Sequence, residues 1–253
     1  MPQWMVKLSG HAFDLRALCK VCTDPGCRVA EDADGAYYLT RTAYSAMQGY
    51  EVDKAARAWL DSINGLMKLH TGVVAIDGVY EIKDDGTRTG HHFGSVQFSA
   101  PSHLRVDAVV IGPDGHPVPS PEIELIRKRL EFAERAPTKQ IRNALRYLNR
   151  SVIGDAAFWM NLNKAYDIIC ADICGDKRKR KQVIPGLGWK VTRAAMDSFE
   201  EAANNPAISG DTARHGDEWT TSQGVTAFNE SEALAFIHHL LNSWIDWKLA
   251  PTP

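Results

Sequence analysis

The spacing of apolar positions changes character part-way along the chain. Over residues 1–118 apolar positions fall in short, strand-like runs. Examples are Ala36-Tyr37-Tyr38-Leu39, Val73-Val74-Ala75-Ile76, Val79-Tyr80-Glu81-Ile82 and Ser95-Val96-Gln97-Phe98. Leu104, Val106, Ala108 and Val110 alternate with Arg105 and Asp107, the period of two expected of a half-buried strand. Four Asp-Gly pairs punctuate the region: Asp34-Gly35, Asp77-Gly78, Asp85-Gly86 and Asp114-Gly115. Each predicts a hairpin or tight turn, because Asp-Gly tolerates the positive φ that such turns require. One stretch has a helical period instead. Ala56, Trp59, Leu60, Ile63, Leu66 and Met67 predict a helix over about 53–70, with Asp53 capping its start and Gly72 its end. This half is expected to be an α+β module, an antiparallel sheet with that helix packed on one face.

Residues 112–121 hold four prolines, at 113, 117, 119 and 121. Proline removes a donor and fixes φ, so the stretch reads as a linker. Beyond it the period becomes 3.6, predicting helices over about 121–135, 138–152, 156–174, 190–204 and 230–249. Asn229 followed by Glu232 is a capping-box arrangement at the start of the last. The expected organisation is therefore an α+β module over 1–118 and an all-α helical bundle over 119–253.

The composition, 44% hydrophobic and 24% charged, is that of an ordinary globular chain. Twenty-nine basic against thirty-one acidic side chains give a net charge of −2, which excludes attraction of the whole chain to nucleic acid or an anionic membrane. Lys7 and Asp14 precede any apolar stretch long enough for a signal peptide, and no run approaches the ~18 apolar residues of a spanning helix. A cytoplasmic protein with no membrane partner is expected. The odd cysteine count, five, suits a reducing compartment. Cys19, Cys22 and Cys27, with His11 upstream, could surround zinc. Yet Cys19 and Cys22 share a short helical pattern with Leu15 and Leu18, where thiols act as small hydrophobes, and that reading is preferred. Cys170 and Cys174 read as core for the same reason. No metal and no cofactor is expected: there is no phosphate-cradling glycine loop, nucleophile elbow or dinucleotide fingerprint.

Local charge is more informative than net charge. From 127 to 193 there are sixteen Lys or Arg against six Asp or Glu. Lys139, Arg142, Arg146 and Arg150 fall within about 80° of one another at 100° per residue, with Ile141, Leu145, Leu148 and Val152 opposite. A basic loop follows at Lys177, Arg178, Lys179, Arg180 and Lys181. Such a footprint can take up nucleic-acid phosphates by displacing counterions. It also suits the solvated side of an amphipathic helix. The densest grouping of catalytic residue types is Asp211, Arg214, His215 and Asp217. Arginine and histidine together can stabilise a phosphoryl oxyanion and move a proton, the requirements of metal-independent RNA cleavage. Equally, Asp211 could cap a short helix and Arg214 tie the loop down.

The run Phe158-Trp159-Met160-Asn161-Leu162-Asn163-Lys164-Ala165-Tyr166, followed by Gly188-Trp189, Ala203-Asn204-Asn205-Pro206, Ser209-Gly210-Asp211 and Ala213-Arg214-His215-Gly216, resembles an uncharacterised bacterial protein family with an Ala-Arg-His-Gly motif. More distantly, the helical half is similar to HEPN domains, helical modules of bacterial RNA-targeting systems. In that family a short spacer separates the catalytic arginine from its histidine, whereas here Arg214 and His215 are adjacent. The one-sided charge, on a chain that resembles this bacterial family, gives the expectation of a bacterial accessory protein contacting RNA or another nucleic acid through the basic helical face. The alternatives are a HEPN-like ribonuclease using Arg214, His215 and Asp211, and a ligand- or partner-sensing module that forms a homodimer through its helical half.

Overall fold

The structure is a computed structural model and describes residues 3–67, 74–91, 121–135, 138–152, 154–210 and 224–250. The chain divides into two compact units, residues 1–131 and 132–253. The fold class is α+β.

In the first unit, β1 (Gln3–Ser9), β2 (Thr23–Asp24), β3 (Cys27–Glu31), β4 (Tyr37–Arg41), β5 (Ala75–Ile82) and β6 (Arg88–His91) form a six-stranded sheet in the order β2-β3-β4-β1-β5-β6. Every pairing is antiparallel. Residues directly opposite each other share a face. Val6 stands opposite both Leu39 and Val79, and Leu39 opposite Val29, which makes one apolar stripe across four strands. All four side chains are buried. Two of the Asp-Gly pairs make the expected hairpin turns: Gly35 (φ 77°) joins β3 to β4, and Gly86 (φ 81°) joins β5 to β6.

Asp77-Gly78 does not turn the chain. β5 runs straight through it, with a bulge where the register shifts opposite Lys7 and Leu8. The Asp77 carboxylate lies 2.7 Å from Lys7 Nζ, and the Tyr80 ring crowds the spaces a Cβ would fill at Gly78 (3.0 Å) and Gly90 (3.2 Å). Glycine at these two strand positions makes room for an aromatic ring. Asp114-Gly115, the expected strand runs after residue 91 and most of the proline-rich stretch lie outside the described residues.

Helix α1 (Ala12–Val21) packs against β3, and α2 (Gly49–Met67) against β1 and β5. Leu18, Val52, Ala56 and Ile63 on these helices are fully buried. α2 starts four residues before the expected Asp53. That carboxylate lies inside the helix, bound by Arg57 one turn on at 2.8 and 3.0 Å, while the Gln48 backbone N–H donates to Glu51 at 2.9 Å at the helix start. Gly72 lies outside the described residues. The buried Asn64 side chain donates to the Val74 carbonyl (2.8 Å) and accepts from its N–H (3.0 Å), fixing α2 to the chain entering β5.

α3 (Pro121–Arg135) spans the division between the units, and its Arg127 donates to the Lys20 carbonyl at 2.8 Å. The second unit contains α4 (Lys139–Arg150), α5 (Phe158–Cys174), α6 (Arg180–Val183), α7 (Arg193–Asn204), α8 (Pro206–Ser209) and α9 (Glu230–Leu249). α5 touches α4, α7 and α9. Tyr166 of α5 meets Phe199 of α7 at 4.9 Å between ring centroids, and Phe199 meets Phe236 of α9 at 5.5 Å. Trp244 and Lys248 of α9 both reach Asp172 of α5, at 2.9 and 2.7 Å. The capping box at Asn229 and Glu232 is formed as expected. The segment 177–181 is not a loop: a 3₁₀ turn over Lys177–Lys179 runs into α6. No helix among the described residues is long and apolar enough to cross a membrane.

Candidate nucleic-acid interface

α4 begins at Thr138, whose hydroxyl accepts from the Ile141 N–H, and contains no acidic residue. Its inner side buries Ile141, Ala144, Leu145 and Leu148 completely, whereas Val152, expected on the same side, lies beyond the helix end at Arg150 and is exposed. That burial orients the helix and leaves Lys139, Arg142 and Arg150 exposed, with Arg146 half-buried beside them. The four cations run about 16 Å along the helix at 1.5 Å per residue. Among the described residues none of them pairs with a carboxylate. Arg146 donates to Asn143 at 3.1 Å, and its guanidinium carbon lies 5.3 Å from the centre of the Tyr147 ring. The ammonium of Lys164, from α5, lies 5.2 Å from the same ring. Neither Tyr147 nor Lys164 was marked by the charge pattern. Tyr147 is visible only as an aromatic beside the stripe, and Lys164 joins it through the packing of α5 on α4.

The second basic segment is used differently. Arg180 Nε donates to Glu200 at 2.8 Å, Arg180 Nη1 lies 3.6 Å from Asp167, and the guanidinium covers the Tyr166 ring at 5.2 Å. Lys181 Nζ binds Asp197 at 2.6 Å and Glu200 at 2.8 Å. Tyr166 donates its hydroxyl to Glu200 at 2.7 Å. Burial would raise the Glu200 carboxyl, but hydrogen bonds from Arg180, Lys181 and Tyr166 outweigh it and hold the pKa below the ordinary value. Arg180 and Lys181 are raised against the opposing effect of burial, chiefly by those same carboxylates. Burial also drives the Tyr166 hydroxyl and the Cys170 thiol far upward, so both stay protonated. Of the rest of the segment, Arg178 and Lys179 are exposed, and the Lys177 side chain lies outside the described residues.

Asp211, Arg214, His215 and Asp217 lie outside the described residues. His11 caps α1 by accepting from the Phe13 N–H at 3.3 Å, and Cys19, Cys22 and Cys27 form no disulfide among the described residues. Cys22 and Cys27 are buried, and burial raises the half-buried Cys19 thiol. No group of three potential metal ligands occurs among the described residues. In the first unit a cleft of about 380 Å³ is lined by Trp4, Arg41, Thr42 and Ser45 among others. Trp4 is oriented there by donating Nε1–H to the Met47 carbonyl at 3.0 Å.

No family model, curated protein or solved structure matches the chain.

Proposed function

We propose that this is an accessory nucleic-acid-binding protein whose second unit, a HEPN-like helical bundle, takes an RNA phosphate backbone on the outer side of α4. The observation that supports this reading is the row Lys139, Arg142, Arg146 and Arg150, which has no carboxylate partner among the described residues. Neighbouring cations on one helix repel, and a polyanion relieves that repulsion while releasing its own counterions. The exposed Arg178 and Lys179 are further phosphate contacts in this reading. Arg180 and Lys181 are left out, because Glu200, Asp167 and Asp197 already neutralise them.

Fluorescence anisotropy of a labelled single-stranded RNA at low and near-physiological salt tests the reading, with the RNA checked afterwards for cleavage. Salt-sensitive binding of intact RNA is expected. No binding at either salt contradicts it, and cleaved RNA replaces it with the ribonuclease alternative at Arg214, His215 and Asp211.

The cleft in the first unit favours a second role, the sensing of a small ligand. Its volume falls in the range of small-molecule sites, and both an indole, Trp4, and a guanidinium, Arg41, line it. Calorimetric titration with a nucleoside monophosphate should release heat that Arg41→Gln abolishes. The absence of heat with the unaltered protein contradicts this role.

A further inference from the structure

We infer that Arg146 and Lys164, held against the ring of Tyr147, form a phosphate clamp on the basic side of α4; the inference rests on the nucleic-acid reading above. Three observations converge. The two cations come from different helices, yet each lies just over 5 Å from the centre of one aromatic ring, Arg146 at 5.3 Å and Lys164 at 5.2 Å. Neither has a carboxylate partner among the described residues, whereas Arg180 over Tyr166 in the same unit is neutralised by Glu200. Lys164 is exposed and Arg146 half-buried, with Nη2 on Asn143 and Nε buried, so the Lys164 ammonium and the Nη1 end of the guanidinium are the donors left for an incoming anion. An aromatic face attracts each cation and fixes its position, but it supplies no net negative charge. A phosphate group does, and guanidinium and ammonium are the donors that bind phosphate best. Tyr147 is then a positioning residue. Lys164 becomes a phosphate contact outside the stripe visible in the sequence, and the chemistry recognised is a phosphodiester of the strand or a free phosphate.

Lys164→Gln, with Lys54→Gln as a charge-matched control on an exposed position of α2, separates these cases. One readout is the salt dependence of binding to a labelled twelve-nucleotide oligouridylate. The other is the rise in Tm on adding inorganic phosphate at constant ionic strength. For Lys164→Gln the slope of log K against log salt should be shallower by about 0.7, the loss of one single-strand phosphate contact. The phosphate-induced Tm rise should also disappear, while Lys54→Gln behaves as the unaltered protein in both assays. Tyr147→Leu should weaken phosphate binding in the same direction. If Lys164→Gln matches the unaltered protein in both assays while Arg142→Glu/Arg146→Glu loses RNA, the clamp is overturned and the α4 surface stands. If the protein binds no oligouridylate but phosphate still raises Tm through Lys164, the clamp stands as a site for free phosphate and the nucleic-acid reading fails.

Discussion

Two groups of cations in the second unit come from the same residue types and give the same signal in the sequence, yet they do different work. Arg180 and Lys181 turn inward to Glu200, Asp167 and Asp197, beneath the ring of Tyr166. Lys139, Arg142, Arg146 and Arg150 lie along α4, and the residues beneath them are aliphatic. The difference is one of counterions. A buried carboxylate needs a cation beside it and makes that cation structural. A helix with no acidic residue of its own, packed through Ile141, Leu145 and Leu148, gives its cations no carboxylate among the described residues, and in the proposed reading they serve a partner outside the protein. Substitutions in the first group should therefore change stability, and substitutions in the second should change binding.

The largest effect belongs to Glu200→Gln. With its side chain only 13% exposed and three donors directed at it, removing its charge should cost about 3 kcal/mol, the lower end for breaking a buried pair. Urea denaturation measures this, and a loss below about 1 kcal/mol would put the inward cations in the same class as those on α4. The same pair of proteins gives a pH test. The folded pKa of Glu200 lies below its unfolded value, so its stabilisation is present above the unfolded range and is lost as pH falls through the folded value. The stability gap between the unaltered protein and Glu200→Gln should be full at neutral pH and close progressively below about pH 4.3. A gap that stays constant into acid contradicts the role given to the carboxylate.

A smaller effect is expected at the start of the basic helix. Thr138→Ala removes the hydroxyl that caps α4 and should cost about 1 kcal/mol, with RNA affinity little changed once the protein is folded. The smallest change in stability belongs to the stripe itself. Arg142→Gln should alter the free energy of unfolding by less than about 0.5 kcal/mol while weakening RNA binding measurably at low salt. A large stability loss there would show that Arg142 has an internal partner.

Much of this architecture is legible in the sequence wherever one local period dominates. The helices over 121–135 and 230–249 have the boundaries their apolar spacing predicts, and α4 and α5 lie within two residues of theirs. Asp34-Gly35 and Asp85-Gly86 were readable as turns because the conformation depends on the dipeptide itself. Asp77-Gly78 carries the same dipeptide, but its role is set by neighbours across the sheet: Lys7 on one strand, and a Tyr80 ring that needs the space over Gly78. The charge pattern does not reveal the counterions of Arg180 and Lys181 for a related reason. The carboxylates that neutralise Arg180 and Lys181 stand on α5 and α7, and only the packing of those helices brings them together. Lys164 was missed because its link to the stripe is the Tyr147 ring of another helix. Period and dipeptide are local signals, whereas a counterion is a tertiary one.

The most direct test of the central claim is the slope of log K against log salt for single-stranded RNA, measured for the unaltered protein and for Arg142→Glu/Arg146→Glu. Two lost contacts should flatten the slope by about 1.4 and weaken binding at every salt concentration, with the unfolding free energy little changed. Equal slopes and equal affinities for the two proteins would contradict the account and leave the basic side of α4 as ordinary solvated surface.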